Sequence, residues 1–174
     1  MSNSPEALQA TVDRMEALAS LSEAMSAAVT DEELYLTVAR FMPRVLGVPR
    51  ASIAIAEADE PTFRVTSLQG DGGGVLLPPG SKMMLMGTAV GEAIDNDKIV
   101  STHEYAKDAF GDWRHLASMG LENFVIAPLS IRGEVLGSLN LGSPAQRPFT
   151  ETDIHFTKQV ALALATHLKL RQAG

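Results

Sequence analysis

The chain has 174 residues, 45% hydrophobic and 20% charged, a composition that suits one folded domain with its own core and excludes a disordered segment. It contains no cysteine, which excludes disulfide scaffolds, thiolate metal sites and cysteine nucleophiles. The net charge of −7 argues against nucleic acid or an anionic membrane as the main partner.

The N-terminal Met-Ser-Asn-Ser-Pro-Glu lacks the basic and apolar regions of a secretion signal, and no apolar run approaches a membrane span. A cytoplasmic protein is therefore expected. Ser4 is a candidate N-cap with Pro5 at the first helical position, where a missing N–H does no harm. Leu8, Val12, Met15, Leu18, Leu21, Met25 and Val29 follow at steps of three and four, the spacing of one helix face. This stripe, in residues 1–29, can pack on its own domain or form a seam with a second copy. Thr30 and Glu33 form a capping box that starts a second helix, with Leu34, Val38, Phe41, Val45 and Leu46 on its apolar face. Pro43 should tighten its last turn, and Gly47 suits its C-terminal end.

Ala51–Ala56 and Thr62–Leu68 read as the two strands of a hairpin around a turn at Glu57–Pro61. Gly70–Gly74 reads as a flexible loop. No Gly-Lys-Ser/Thr ending follows it, so it does not read as a phosphate-binding loop. Met83, Met84 and Met86 come next, an unusual density of adaptable apolar side chains. A short helix is predicted from about Thr88 to Ile94, then a short strand at Lys98–Thr102. Residues 103–120 are irregular, with Tyr105, Phe110, Trp113, His115, Leu116 and Met119 among polar residues, and Asp112–Ser118 as a possible helix ended by Gly120. Irregular segments of this length are usually functional or mobile.

Phe124–Ile131 and Val135–Leu141 read as two strands joined at Arg132-Gly133. The first is apolar on nearly every residue, so both of its faces should be covered. In the second, Gly137, Ser138 and Asn140 interrupt the apolar residues, which marks close approach of a helix or a ligand. Thr150 and Asp153 then cap a long final helix with two apolar faces. Ile154, Ala161, Leu164, Ala165 and Leu168 form one, and Phe156, Val160, Ala163 and Leu170 the other. Two faces imply two partners: the sheet, and either the N-terminal helix or a second subunit.

The order Pro128-Leu129, Gly133, Val135, Gly137, Leu139, then Phe149-Thr150, Asp153 and Val160-Ala161 resembles the C-terminal half of a GAF domain. The remaining elements are similar to that architecture over roughly residues 30–170. The resemblance implies an α+β fold: a central antiparallel sheet, N- and C-terminal helices on one face, and a loop and helix lid over a pocket on the other. A PAS domain has a related shape, but the late hairpin followed by a long C-terminal helix favours GAF. GAF domains are small-molecule sensor and dimerisation modules, commonly joined to cyclases, histidine kinases or transcriptional activators. The expectation is thus a non-enzymatic regulatory module of a homodimer, with a ligand-free dimerisation module as the alternative. The expected ligand is small and largely apolar or amphipathic.

Mapped on this chain, Met83, Met84, Met86, Trp113, His115, Met119, Phe124, Ile126 and Asn140 would line the pocket. The absence of cysteine excludes the thioether-bound bilins and the thiol-dependent sulfoxide reduction found in similar proteins. Cyclic-nucleotide-binding GAF domains carry Asn-Lys, then Phe, then Asp-Glu, and their Lys pairs with that Asp. Asn140, Phe149 and Asp153 match, but Leu141 and Ile154 replace Lys and Glu, which argues against a cyclic nucleotide. No catalytic set and no cofactor or metal site assembles: His155 and His167 lie too far apart on one helix to share an ion, and His103 and His115 read as ordinary hydrogen-bonded or solvated residues.

Overall fold

The computed structural model describes residues 4–70 and 79–173. Within them the elements run α1 (Pro5–Ala27), α2 (Asp31–Leu46), β1 (Arg50–Ala56), β2 (Thr62–Gly70), β3 (Lys82–Met84), α3 (Ala89–Asn96), β4 (Val100–Ser101), α4 (Gly111–Ala117), β5 (Asn123–Ile131), β6 (Glu134–Ser143) and α5 (Glu151–Ala173). The expected flexible loop at Gly70–Gly74 lies, beyond Gly70, outside the described residues.

The six strands form one antiparallel sheet in the order β3-β2-β1-β6-β5-β4. The two edge strands have three and two residues, which leaves little unpaired backbone for edge-to-edge aggregation. β3 was not legible as a strand; it pairs Met83 with Phe63 of β2, and only that pairing defines it. The β5–β6 turn places both Arg132 (φ 53°) and Gly133 (φ 79°) in the left-handed region, as a two-residue hairpin of matching twist requires.

Local chemistry sets the helix boundaries. Ser4 Oγ accepts the Ala7 N–H, Thr30 Oγ1 accepts the Glu33 N–H, and Gly47 closes α2 at φ 67°. The Glu33 carboxylate reaches back to the Val29 N–H, one residue before the cap. At α5, Thr150 and Asp153 exchange hydrogen bonds as a capping box at 2.9 and 3.0 Å.

α2 and α5 cover one face of the sheet, and α1 rests on both of them as an outer helix. The core beneath is mainly aliphatic, with Leu34, Val38, Ile53, Leu129, Leu139 and Leu164 at its centre. The second apolar face of α5 finds its partners within the chain: Phe156 stacks near Phe41 at 6.1 Å, and the Arg14 guanidinium lies over the Phe156 ring. Leu170, expected on that face, is exposed. α3 and α4 lie on the opposite face over a second core rich in aromatic rings.

Candidate functional site

The site is built on the α3–α4 face of the sheet. Alternation along the strands points Arg50, Ser52 and Ala54 of β1 and Ser138, Asn140 and Gly142 of β6 to this side. Ser52 and Asn140 are directly opposed in the β1–β6 register, and Asn140 Nδ2 donates to Ser52 Oγ at 3.2 Å. Ser138 Oγ donates to Asn140 Oδ1 at 2.7 Å. The polar residues that interrupted the β6 pattern therefore satisfy one another across two strands.

Above this floor sits Trp113 of α4. Its ring is fully buried, stacks on Phe124 at 4.9 Å and 13°, and meets Phe110 edge-on at 5.0 Å. Such ring pairs add about 0.5–1.5 kcal/mol beyond their burial. Asp112, the preceding residue, is also buried. Its carboxylate accepts the Ala89 N–H at 2.9 Å and the Trp113 N–H at 3.0 Å. One α4 residue thus packs on the sheet while its neighbour ties α4 to the N-terminus of α3. Burial pushes the Asp112 carboxyl above the usual carboxylate range, and the backbone donors oppose that shift.

α3 reaches this position because Thr88 caps it, accepting the Gly91 N–H at 3.0 Å. Gly91 has no alternative there: a Cβ on it would stand 1.9 Å from the Leu85 carbonyl oxygen.

A cavity of about 30 Å³ lies between floor and lid. Its wall includes Arg50, Ser52, Asn140, Asp112 and Trp113, with apolar surface from Phe63, Val65, Val90, Leu116, Phe124 and Ile126. Of the residues expected to line a pocket, Trp113, Phe124, Ile126 and Asn140 border this cavity. Met83 and Met119 pack at the margin of the aromatic core without reaching the wall. Met84 (55% exposed), Met86 (88% exposed) and His115 point to solvent and do not border this cavity. The alternation of β3 separates the methionines, placing Met83 inward and Met84 outward. Arg50, Ser52 and Asp112 were missed. Arg50 opens β1 just after Pro49, where a charged residue reads as a solvated strand end, yet it is 6% exposed.

His103 ties the β4 side to the start of α5, with Nε2 at 2.6 Å from the Phe149 carbonyl oxygen and Nδ1 at 3.1 Å from Glu151. Among the described residues no cluster of three metal-ligating side chains occurs. No described helix is long and apolar enough to cross a membrane.

On the far face, Asp153 is 3% exposed and accepts from Arg14 of α1 at 2.5 Å and from Arg147 at 3.1 Å. Burial would raise its pKa. The Thr150 N–H and the two guanidinium groups outweigh burial and hold it below the usual range. Arg147 also donates to the Leu46 carbonyl at the end of α2. Two arginines thus occupy the Asp153 carboxylate, while Leu141, standing where a similar domain would have Lys, is buried in the aliphatic core.

A sheet with long helices on one side and a small helical lid over a cavity on the other is the plan of regulatory sensor domains. The family model for the GAF domain matches residues 31–168, and the chain belongs to that family. No curated protein matches it. Among solved structures it is similar to the GAF domain of the phosphoenolpyruvate-protein phosphotransferase from Acinetobacter (TM-score 0.74, 15% identity, covering 99% of this chain and 98% of that one). The corresponding domain from Coxiella burnetii is similar (TM-score 0.77, 17% identity, 93% and 96% covered). So is the free methionine-R-sulfoxide reductase of Neisseria meningitidis in complex with its substrate (TM-score 0.77, 18% identity, 100% and 97% covered). At these identities the likeness is one of fold.

Proposed function

We propose that this GAF domain is the regulatory, non-catalytic module of a cytoplasmic signalling protein, that it binds a small molecule in the cavity under α4, and that occupancy is transmitted through the terminal helices of a homodimer to an output domain such as a cyclase, histidine kinase or transcriptional activator. The observation that carries this reading is the cavity itself, where Arg50, Ser52, Asp112 and Asn140 are set into a largely apolar wall. Its lid element does two jobs with adjacent residues, since Trp113 borders the cavity and Asp112 caps α3. A ligand that moves the indole therefore also works on the N-terminus of α3.

In this reading residues 1–29 form the dimerisation helix and residues 30–174 the sensor. Leu8, Val12 and Met15 support the seam: they recur at steps of four and three on α1 and are 44–66% exposed. Arg14, on the same helix, is anchored to Asp153 and so couples α1 to the body of the domain. A thiol-based reaction is foreign to a chain without cysteine.

The test is a thermal-shift screen of small carboxylates, nucleotides, indoles and lipids, repeated on Asn140→Leu, with light scattering on the chain lacking residues 1–28. Sensor function requires a compound that raises the melting temperature in the parent and loses affinity in the variant. The small size of the cavity favours a second reading, a dimerisation module without a ligand. That reading is supported if the full chain is a dimer that removal of residues 1–28 dissociates, and no compound stabilises it.

A further inference from the structure

α1 carries two stripes. One packs on the domain: Leu21 and Met25 are buried, and Leu18 lies against the aliphatic core. The other consists of Leu8, Val12, Met15, Ala19, Ser22 and Ser26, which follow one another at alternating steps of four and three. That 3.5-residue repeat is the seam pattern of a coiled coil. Leu8, Val12 and Met15 are 56, 44 and 66% exposed in the protomer, and Ala19 and Ser26 are exposed too. Large apolar side chains occupy the first half of this stripe and small ones the second.

The flanks of the stripe set the direction of a partner helix. Gln9, Glu16 and Glu23 line one flank, and Thr11, Leu18 and Met25 the other. In a parallel pair each flank meets the opposite flank of its partner, so no acid faces an acid. An antiparallel pair sets like flank against like and brings acids together at the centre. Full antiparallel overlap also lays Leu8 and Val12 against serines, whereas a parallel seam pairs apolar with apolar and small with small. A foreign helix would have to reproduce the same order of large and small residues; a second copy does so by symmetry.

We infer that a second copy of this chain packs on α1 parallel and in register, with Leu8, Val12, Met15 and Ala19 each meeting its own counterpart across a two-fold axis. This rests on the homodimer reading and fixes its orientation. α5 runs beside α1 in the same direction: Arg14 pairs with Asp153, Ser26 lies 3.4 Å from His167, and Arg171 donates to the Val29 carbonyl at 2.5 Å. A parallel seam therefore places the C-terminal ends of both α5 helices at one end of the assembly, the arrangement that delivers a signal to a paired output unit.

The chain has no cysteine, so introduced thiols report the seam without interference. Leu8→Cys and Met15→Cys are prepared separately in the full chain and oxidised mildly in dilute solution. Each should form a covalent dimer by itself, because a disulfide needs Cα atoms within about 7 Å and the parallel register brings each position that close to its own counterpart. Val12→Glu should raise the dimer dissociation constant about tenfold or more in light scattering, since it places a charge in an apolar seam. Val12 is exposed in the protomer, so the fold does not depend on it.

A dimer in which neither cysteine variant cross-links alone, but Leu8→Cys cross-links with Met15→Cys or with Ser26→Cys, would overturn the parallel register and leave the homodimer standing. A dimer that forms none of these cross-links and tolerates Val12→Glu has its interface elsewhere, which would overturn the seam. If the full chain is monomeric at every concentration, the seam and the homodimer reading both fall, and ligand binding in the cavity is untouched.

Discussion

The two faces of the sheet solve different problems. The α2–α5 face is mainly aliphatic, and the buried Asp153 carboxylate is matched there by two guanidinium groups and its own capping box. The α3–α4 face is aromatic, carries Arg50, Ser52, Asn140 and Asp112 near its centre, and keeps a cavity and an unmatched indole N–H. The filled face serves as a scaffold, although one nitrogen of its Arg14 guanidinium is also buried without a partner. A face with a space and an unused donor retains capacity to bind. The paired acids show the contrast directly, since Asp153 is held below the ordinary carboxylate range and Asp112 above it.

The largest expected effects test the shared scaffold. A Cβ on Gly137 would stand 2.0 Å from the Ala54 carbonyl oxygen, so the close approach marked by this glycine is that of the β1 backbone. Gly137→Val should destabilise the domain by about 3 kcal/mol, measured by urea unfolding. A loss under about 0.5 kcal/mol would show that the strands can separate at no great cost. Leu34→Ala, in the filled core, should cost about 3 kcal/mol. Leu116→Ala in the lid, at 8% exposure and beside an existing cavity, should cost clearly less. Equal losses would erase the distinction between the faces.

The acids should separate in the pH dependence of stability. Asp153 has a folded pKa below its unfolded value, so its contribution is present above the ordinary carboxylate pKa of about 3.9 and lost as pH falls below it. Asp153→Asn should lower stability at neutral pH and flatten the acid limb. For Asp112 the sign reverses: its folded pKa is raised, so its linkage favours folding in acid and weakens as pH rises from about 3.9 through the raised value. Asp112→Asn should therefore steepen the acid limb. Parallel changes in the two variants would contradict the opposed shifts.

The smallest effect belongs to the unmatched donor. Trp113→Phe removes the N–H while keeping a ring on Phe124, and should change stability of the ligand-free protein by less than about 1.5 kcal/mol. A larger loss would show that the packing of the fused indole ring, rather than its N–H, dominates the contribution of Trp113.

Sequence alone determined the helices and their limits, because capping is local chemistry: Ser4, Thr30, Thr88, Gly47 and the Thr150–Asp153 box act within three or four residues of chain. It also determined the hairpins, through alternation and turn residues, and the family, through the spacing from Pro128 to Asp153. What it left open depended on residues distant in the chain. β3 exists only by pairing with β2. The burial of Arg50 and Asp112 follows from sheet order and from where α4 lands. The methionines were divided between the margin of a core and solvent by the alternation of one short strand. Asp153 could be recognised as a cap, but its pairing with Arg14 spans 139 residues of sequence. Local hydrogen bonds and periodicity are written in neighbouring residues. The charge, volume and hydrogen-bonding of a cavity are set by side chains that only the folded sheet brings together.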